Sequence, residues 1–187
     1  DWLSWQLTGA SSLATLFTDR SDASGTGYFD SVKNDYCRDI FATALRSERE
    51  VVLPTITAPH LFGGETSQGI PIAAGAGDNA GAALGLGAGV GDLVISLGTS
   101  GTAFAVSSTP THDPSGEVAG FADATGNFLP LACTLNAAKV FDTVAKTLGI
   151  SFEEFSSLAL SAPLGAEGLR VIPHFDGERT PNRPQAR

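Results

Sequence analysis

The sequence predicts an α/β protein, and three observations carry that reading. Strand-like apolar runs alternate with segments of helical period along the chain. A strand, a glycine-rich loop and a small-residue helix succeed one another over 70–86, and two further strand-like runs flank a Gly-Thr-Ser-Gly turn over 92–107.

In order, Trp2, Leu3, Trp5 and Leu7 recur at helical spacing before Gly9, which reads as the tail of a helix. Residues 18–31, TDRSDASGTGYFDS, are small and polar with too little apolar content for a strand, and read as a loop into which Tyr28 and Phe29 must pack. Asp35 to Leu45 reads as a short helix with Ile40, Phe41 and Leu45 on one face. Residues 47–69, holding Pro54, Pro59, Gly63 and Gly64, read as irregular connection. Ile70 to Ala74 is a strand, and after GAGDNAG at 75–81 a helix runs from Asn79 to Leu86. Asp92 to Leu97 and Thr102 to Ser107 are the two arms of a hairpin. Nine of the 22 glycines lie between 75 and 101, so the backbone there is expected to come close to another group. A strand near Phe128 to Leu131 and a helix from Asn136 to Leu148 follow, then a helix over 152–160 opened by Ser151 with Glu153 and Glu154. Leu169 to Phe175 reads as a last strand, running into Asp176-Gly-Glu-Arg-Thr-Pro181.

The length, 187 residues, suits one domain or two small ones, and 42% hydrophobic residues suit a packed core. Eleven basic against 20 acidic residues leave a net charge of -9, which speaks against nucleic acid and membrane surfaces as partners. A small polyanion remains compatible wherever one pocket is lined by amides. The two cysteines, Cys37 and Cys133, form no metal or disulfide pattern, and His60, His112 and His174 are scattered. No lysine follows a glycine, so there is no Walker-type phosphate loop, and neither GxSxG nor HExxH occurs. The 75–81 glycines read GxGxxxG and miss the dinucleotide fingerprint by one position. The opening DWLSWQLTG has neither the basic start nor the apolar run of a signal peptide, and the absence of any Met suggests a piece of something longer, or a sequence from which the Met positions are missing.

Two signals remain. Asp78 and Asn79 follow a strand at the mouth of a helix, the edge of the sheet where α/β proteins bind ligands. There Asp78 can take a proton from a hydroxyl and Asn79 can bond a neighbouring one; equally, Asp78 can serve as a helix cap. The second is Gly98-Thr99-Ser100-Gly101, where tight turning exposes amides and hydroxyls that can hold phosphate oxygens without a lysine; equally, it can be an ordinary hairpin turn. A base at one strand end and a phosphate cradle at the next are compatible with phosphoryl transfer to a hydroxyl.

At these residues the chain resembles the FGGY family of carbohydrate kinases. GAGDNAGAALGLGAG, DLVISLGTSGTAFAVS, DWLSWQLTG, TDRSDASGTGYFD and PHFDGERTPNRP are similar to the central segment of the xylulokinase branch, and GDNA and GERTP set it apart from the glycerol, ribulose and gluconate branches. The resemblance implies an actin-like ATPase fold with RNase-H-like cores and a catalytic cleft. Residues 1–90 would be the C-terminal part of the sugar-binding domain, and 91–187 the N-terminal part of the nucleotide-binding domain. It makes Asp78 the catalytic base and, with Asn79, a sugar-binding residue; Gly98, Thr99, Ser100 and Gly101 contact the ATP phosphates. Asp78 and the 98–101 turn are expected to face one another. Thr134 to Ala138 falls where relatives line the nucleotide, and TDRSDASGT and GERTP are given architectural roles. The implied activity is ATP-dependent phosphorylation of a ketopentose, D-xylulose to D-xylulose 5-phosphate, in the cytoplasm. ATP and Mg2+ are the implied cofactors, with no metal ligand in this chain. The partners are a small sugar and ATP, with a homodimer as a candidate assembly. The family's N-terminal phosphate hairpin and C-terminal adenosine segment are absent from the sequence, so the chain alone is expected to have little or no activity. The alternatives are a kinase for another polyol or sugar acid, a non-catalytic sugar- or nucleotide-binding paralogue, and a Rossmann-type NAD domain.

Overall fold

The computed structural model describes residues 1–47, 49–175 and 177–186. Its helices are α1 (Trp2–Leu7), α2 (Arg20–Ser24), α3 (Arg38–Leu45), α4 (Asp78–Leu86), α5 (Ala138–Leu148) and α6 (Phe152–Ser161). Its strands are β1 (Phe17–Asp19), β2 (Phe29–Asp30), β3 (Asp35–Tyr36), β4 (Thr55–Thr57), β5 (Phe62–Glu65) and β6 (Pro71–Ala73), then β7 (Leu93–Leu97), β8 (Gly101–Ala105), β9 (Ala119–Ala122) and β10 (Phe128–Thr134). β1 and β4 pair in parallel, β2 with β3 and β5 with β6 antiparallel, and a four-stranded sheet has the order β7-β8-β10-β9. The residues divide into two compact units: Asp1–Val94 with Phe104–Pro114 and Ala119–Leu131, and Ile95–Ala103 with Ser115–Val118 and Ala132–Arg187.

In the first unit, the reading of 18–31 as a loop and 47–69 as irregular connection is corrected. β1, α2 and β2 occupy the former, and β4 and β5 the latter. Elements of two to five residues are too short to show a period, and β1 exists because β4 pairs with it, Phe17 opposite Thr55 and Asp19 opposite Thr57. All three residues of β1 are buried. The polar run Thr18, Asp19, Arg20 and Ser21 can sit inside because its groups bond locally, which offsets the cost of removing them from water. Arg20 donates from Nε to Asn34 Oδ1 (2.9 Å), from Nη2 to the Ser31 carbonyl (3.1 Å) and from Nη1 to the Asn127 carbonyl (3.3 Å), and its guanidinium lies 5.8 Å from the Phe128 ring centre. Burial pulls its pKa below the usual arginine value, and the nearby Asp123 charge opposes that. Tyr28 and Phe29 do pack: Tyr28 stacks edge-on against Phe41 at 4.9 Å, and Phe29 lies 5.9 Å from Tyr36. Tyr36 donates to the Pro54 carbonyl (3.0 Å), and burial pushes its phenol up to about 12.

The hairpin, the helix after residue 78 and the two later helices form as their sequences predict. α6 opens with a complete capping box: Glu154 N donates to Ser151 Oγ (3.2 Å) and Ser151 N to Glu154 Oε2 (2.9 Å). The strand expected at Leu169 to Phe175 does not form. Leu169, Val171 and Ile172 are 76%, 69% and 77% exposed, and the pairing there among the described residues is a bridge between Phe175 and Gly177. Apolar composition gives a run strand propensity, but no described strand lies alongside to pair with it. Asp176, which follows, lies outside the described residues.

Gly63 in β5 is fixed by packing. A Cβ there would stand 2.1 to 2.5 Å from three atoms of the Phe17 ring, itself 3% exposed. Gly63→Ala in the full-length protein is expected to cost about 1–3 kcal/mol through forced overpacking. Urea denaturation checks this, and an unchanged midpoint would contradict the packing described.

Candidate active site

Asp78 stands at the start of α4 in the first unit. Gly77, extended at φ -63° and ψ 160°, is the N-cap and offers no side chain, so Asp78 is the first helical residue and its reading as the cap does not hold. An acid in this first turn is favoured by the helix dipole. The helix buries Ala80 and Ala83 and ends at Gly87 in the left-handed region. The Asp78 carboxylate is exposed, and its Oδ1 accepts from the neighbouring Asn79, both N (2.8 Å) and Nδ2 (3.0 Å). Among the described residues no hydrogen bond falls on Oδ2, so one oxygen is open to a proton. It borders a cavity of about 360 Å³ lined by Ser21, Asp22, Gly77, Asn79 and Phe121 among others, a volume within the range of small-molecule pockets.

Sequence reasoning assigned Asp19 and Ser21 only to an architectural motif; the structure puts them behind Asp78. Asp19 Oδ1 accepts from Ser21 N (2.8 Å), Asp22 N (3.0 Å) and Ser21 Oγ. Ser21 Oγ in turn accepts from Gly77 N (2.8 Å), the amide just before Asp78. The spacing of Asp19 and Ser21 carries a capping signature, but nothing local shows that their partner is residue 77.

The turn Gly98-Thr99-Ser100-Gly101 belongs to the second unit. Gly98 N donates to Ser100 O (2.9 Å), closing the loop. The carbonyls of Gly98 and Thr99 accept from Ala138 N (2.9 Å) and Lys139 N (3.5 Å), so the loop itself satisfies the opening amides of α5, which has no side-chain cap. The carbonyls are thereby turned towards α5, while the amides of Thr99 and Ser100 have no partner among the described residues and are exposed with their hydroxyls. Consecutive unpaired amides of this kind suit anionic oxygens. Gly101 is buried, and a Cβ there would meet Ala137 Cβ and Thr134 Cγ2 at 3.1 Å, so the loop seats closely on the turn before α5.

That turn is held by Glu178 of the GERTP motif. Glu178 is 5% exposed and accepts from Thr134 Oγ1 (2.6 Å), Arg179 N (2.7 Å), Leu135 N (2.8 Å) and Asn136 Nδ2 (2.9 Å). Burial alone would raise its pKa, but these bonds favour the anion more strongly and bring it down to about 2 from an ordinary 4.5. Because the folded value is depressed, the stabilisation is complete above the unfolded pKa and drains away as pH falls from about 5 towards 2. Glu178→Gln in the full-length protein should therefore lose less stability than the unsubstituted protein over that acid range. Denaturation midpoints measured at successive pH values check it; identical acid slopes would contradict it.

Among the described residues no three His, Cys, Asp or Glu side chains cluster so as to hold a metal ion, and no helix is long and apolar enough to cross a membrane.

Searched against family models, the chain matches none. A solved xylulose kinase from Bifidobacterium adolescentis superposes with a TM-score of 0.88 at 44% identity, covering 100% of this chain and 42% of that one. A Plasmodium falciparum glycerol kinase, 18% identical at a TM-score of 0.69, shares the fold alone. The chain resembles the FGGY carbohydrate kinases and carries part of the fold that these solved structures share. Its whole length is similar to xylulose kinases: it is 43% identical over 194 residues to that of Streptomyces coelicolor and 33% over 201 residues to that of Haemophilus influenzae. It spans 37% and 39% of those two proteins' lengths.

Proposed function

We propose that the whole protein transfers the γ-phosphoryl group of ATP to a hydroxyl of a ketopentose, D-xylulose giving D-xylulose 5-phosphate. The observation that carries this is Asp78 at the mouth of α4, with one carboxylate oxygen unengaged beside a polyol-sized cavity and Asn79 as its neighbour. Asp78 Oδ2 takes the proton of the C5 hydroxyl as that oxygen bonds to the γ-phosphorus. The bond from phosphorus to the bridging oxygen breaks, and ADP leaves. Asn79 bonds an adjacent sugar hydroxyl. The Thr99 and Ser100 amides, with their hydroxyls, hold oxygens of the phosphate chain, while Gly98 and Gly101 allow the tight turn. Mg2+ accompanies the nucleotide, and no residue of this chain is assigned to it. By family correspondence, residues 1–90 close the sugar-binding domain and 91–187 open the nucleotide-binding domain.

A second reading, phosphorylation of a sugar acid, has one observation in its favour: a gluconate kinase from Lactobacillus acidophilus matches with a TM-score of 0.83 at 25% identity. Comparing turnover of D-xylulose and gluconate separates the two.

Asp78→Asn in the full-length protein is expected to lower kcat by about 10²–10⁴, the usual span for a positioned base. The dissociation constant for the sugar, measured by calorimetry, should stay within about threefold, since the substituted side chain keeps its shape, its oxygen can still accept from Asn79, and its amide can donate to the sugar hydroxyl. Near-normal turnover would remove Asp78 from the role of base.

A further inference from the structure

We propose that Ser21 is a positioning residue for Asp78, acting through the Gly77 amide; the inference rests on Asp78 being the base. The Asp78 side chain is exposed, and the only hydrogen bonds it receives from described residues come from Asn79, so its aim is set by the backbone that carries it. That backbone is the uncapped first turn of α4. The amide immediately before Asp78 donates 2.8 Å to Ser21 Oγ, across 56 residues of sequence. Ser21 is 3% exposed, and its one hydroxyl proton is committed to Asp19 Oδ1. The lone pairs facing Gly77 can therefore only accept, which fixes the direction of the bond. Asp19, 8% exposed, is held in turn by the Ser21 and Asp22 amides. A Cβ on Gly77 would lie 3.7 Å from Ser21 O and from Asp22 N, so α2 abuts the same residue by packing as well as by the hydrogen bond.

Acid–base chemistry needs the carboxylate within hydrogen-bond reach of the reacting hydroxyl, and a displacement of about 1 Å costs on the order of 10²-fold in rate. A hydroxyl that ties α4 to a buried acid supplies that precision without touching the substrate's reacting atoms. If Ser21 were merely structural, its loss would reduce the amount of folded protein. If it positions Asp78, its loss reduces kcat per folded molecule, and only while Asp78 is there to be positioned.

The test is a mutant cycle in the full-length protein. Thr and Val have the same shape and differ at one atom, so Ser21→Thr against Ser21→Val isolates the hydroxyl. Val should lose kcat for D-xylulose by about 10- to 100-fold with the sugar dissociation constant within about threefold, and Thr should recover most of that loss. In an Asp78→Asn background, Thr and Val should have the same residual kcat. Equal kcat for Thr and Val with Asp78 intact, or an equal Val penalty in both backgrounds, would overturn the proposal. Should Val not fold, Ser21→Ala against Ser21→Thr carries the same comparison, with amide exchange at Gly77 as a second readout. Exchange should quicken in Ala and not in Thr, and an unchanged rate in Ala overturns the link. Failure of the base assignment shows separately, as an Asp78→Asn protein that still turns over.

Discussion

A buried carboxylate anchors the first unit: Asp19 Oδ1 gathers the amides of Ser21 and Asp22 and the Ser21 hydroxyl. Those bonds start α2, orient Ser21 and, through Gly77 N, fix where α4 begins. Leaving a buried acceptor or donor unpaired costs about 1–3 kcal/mol. The set therefore holds together as a unit, and the loop of small residues from 75 to 77 needs no bulky side chain to hold it. The price of that arrangement is a polar interior around β1, offset by the Arg20 contacts to the Ser31 and Asn127 carbonyls.

The second unit solves a similar problem with another acid. Glu178 collects four donors from the turn before α5 and from its own neighbour Arg179, and the turn seats against Gly101. α5 then takes the carbonyls of Gly98 and Thr99 for its own opening amides. The amides of Thr99 and Ser100 that remain have no partner among the described residues, and unpaired neighbouring amides suit anionic oxygens. In both units an acid remote in sequence shapes a glycine-rich segment that has few side chains of its own.

Long periodic elements were legible from composition and spacing. α5 and α6 announce themselves by apolar recurrence and, for α6, by the Ser151–Glu154 capping box. The hairpin arms around 98–101 and the strand before Gly75 were equally plain. β1, β2, β4 and β5 were not, because strands of two to four residues owe their existence to the strand paired with them rather than to their own pattern. The opposite error occurred at 169–175, where strand-forming residues lack a described neighbour. Asp78 and Asn79 could be singled out from their place after a strand, though whether Asp78 capped the helix could not; the answer depended on where the first helical turn begins. Ser21 and Glu178 were visible as motif residues, but their partners, 56 and 42 to 44 residues away, were not.

The most direct test of the central assignment is a crystal structure of the full-length protein with D-xylulose and a non-hydrolysable ATP analogue. An Asp78 carboxylate oxygen is expected within about 2.6–3.2 Å of the C5 hydroxyl, with Asn79 on a neighbouring hydroxyl. A sugar bound elsewhere, with Asp78 facing only solvent, would contradict it.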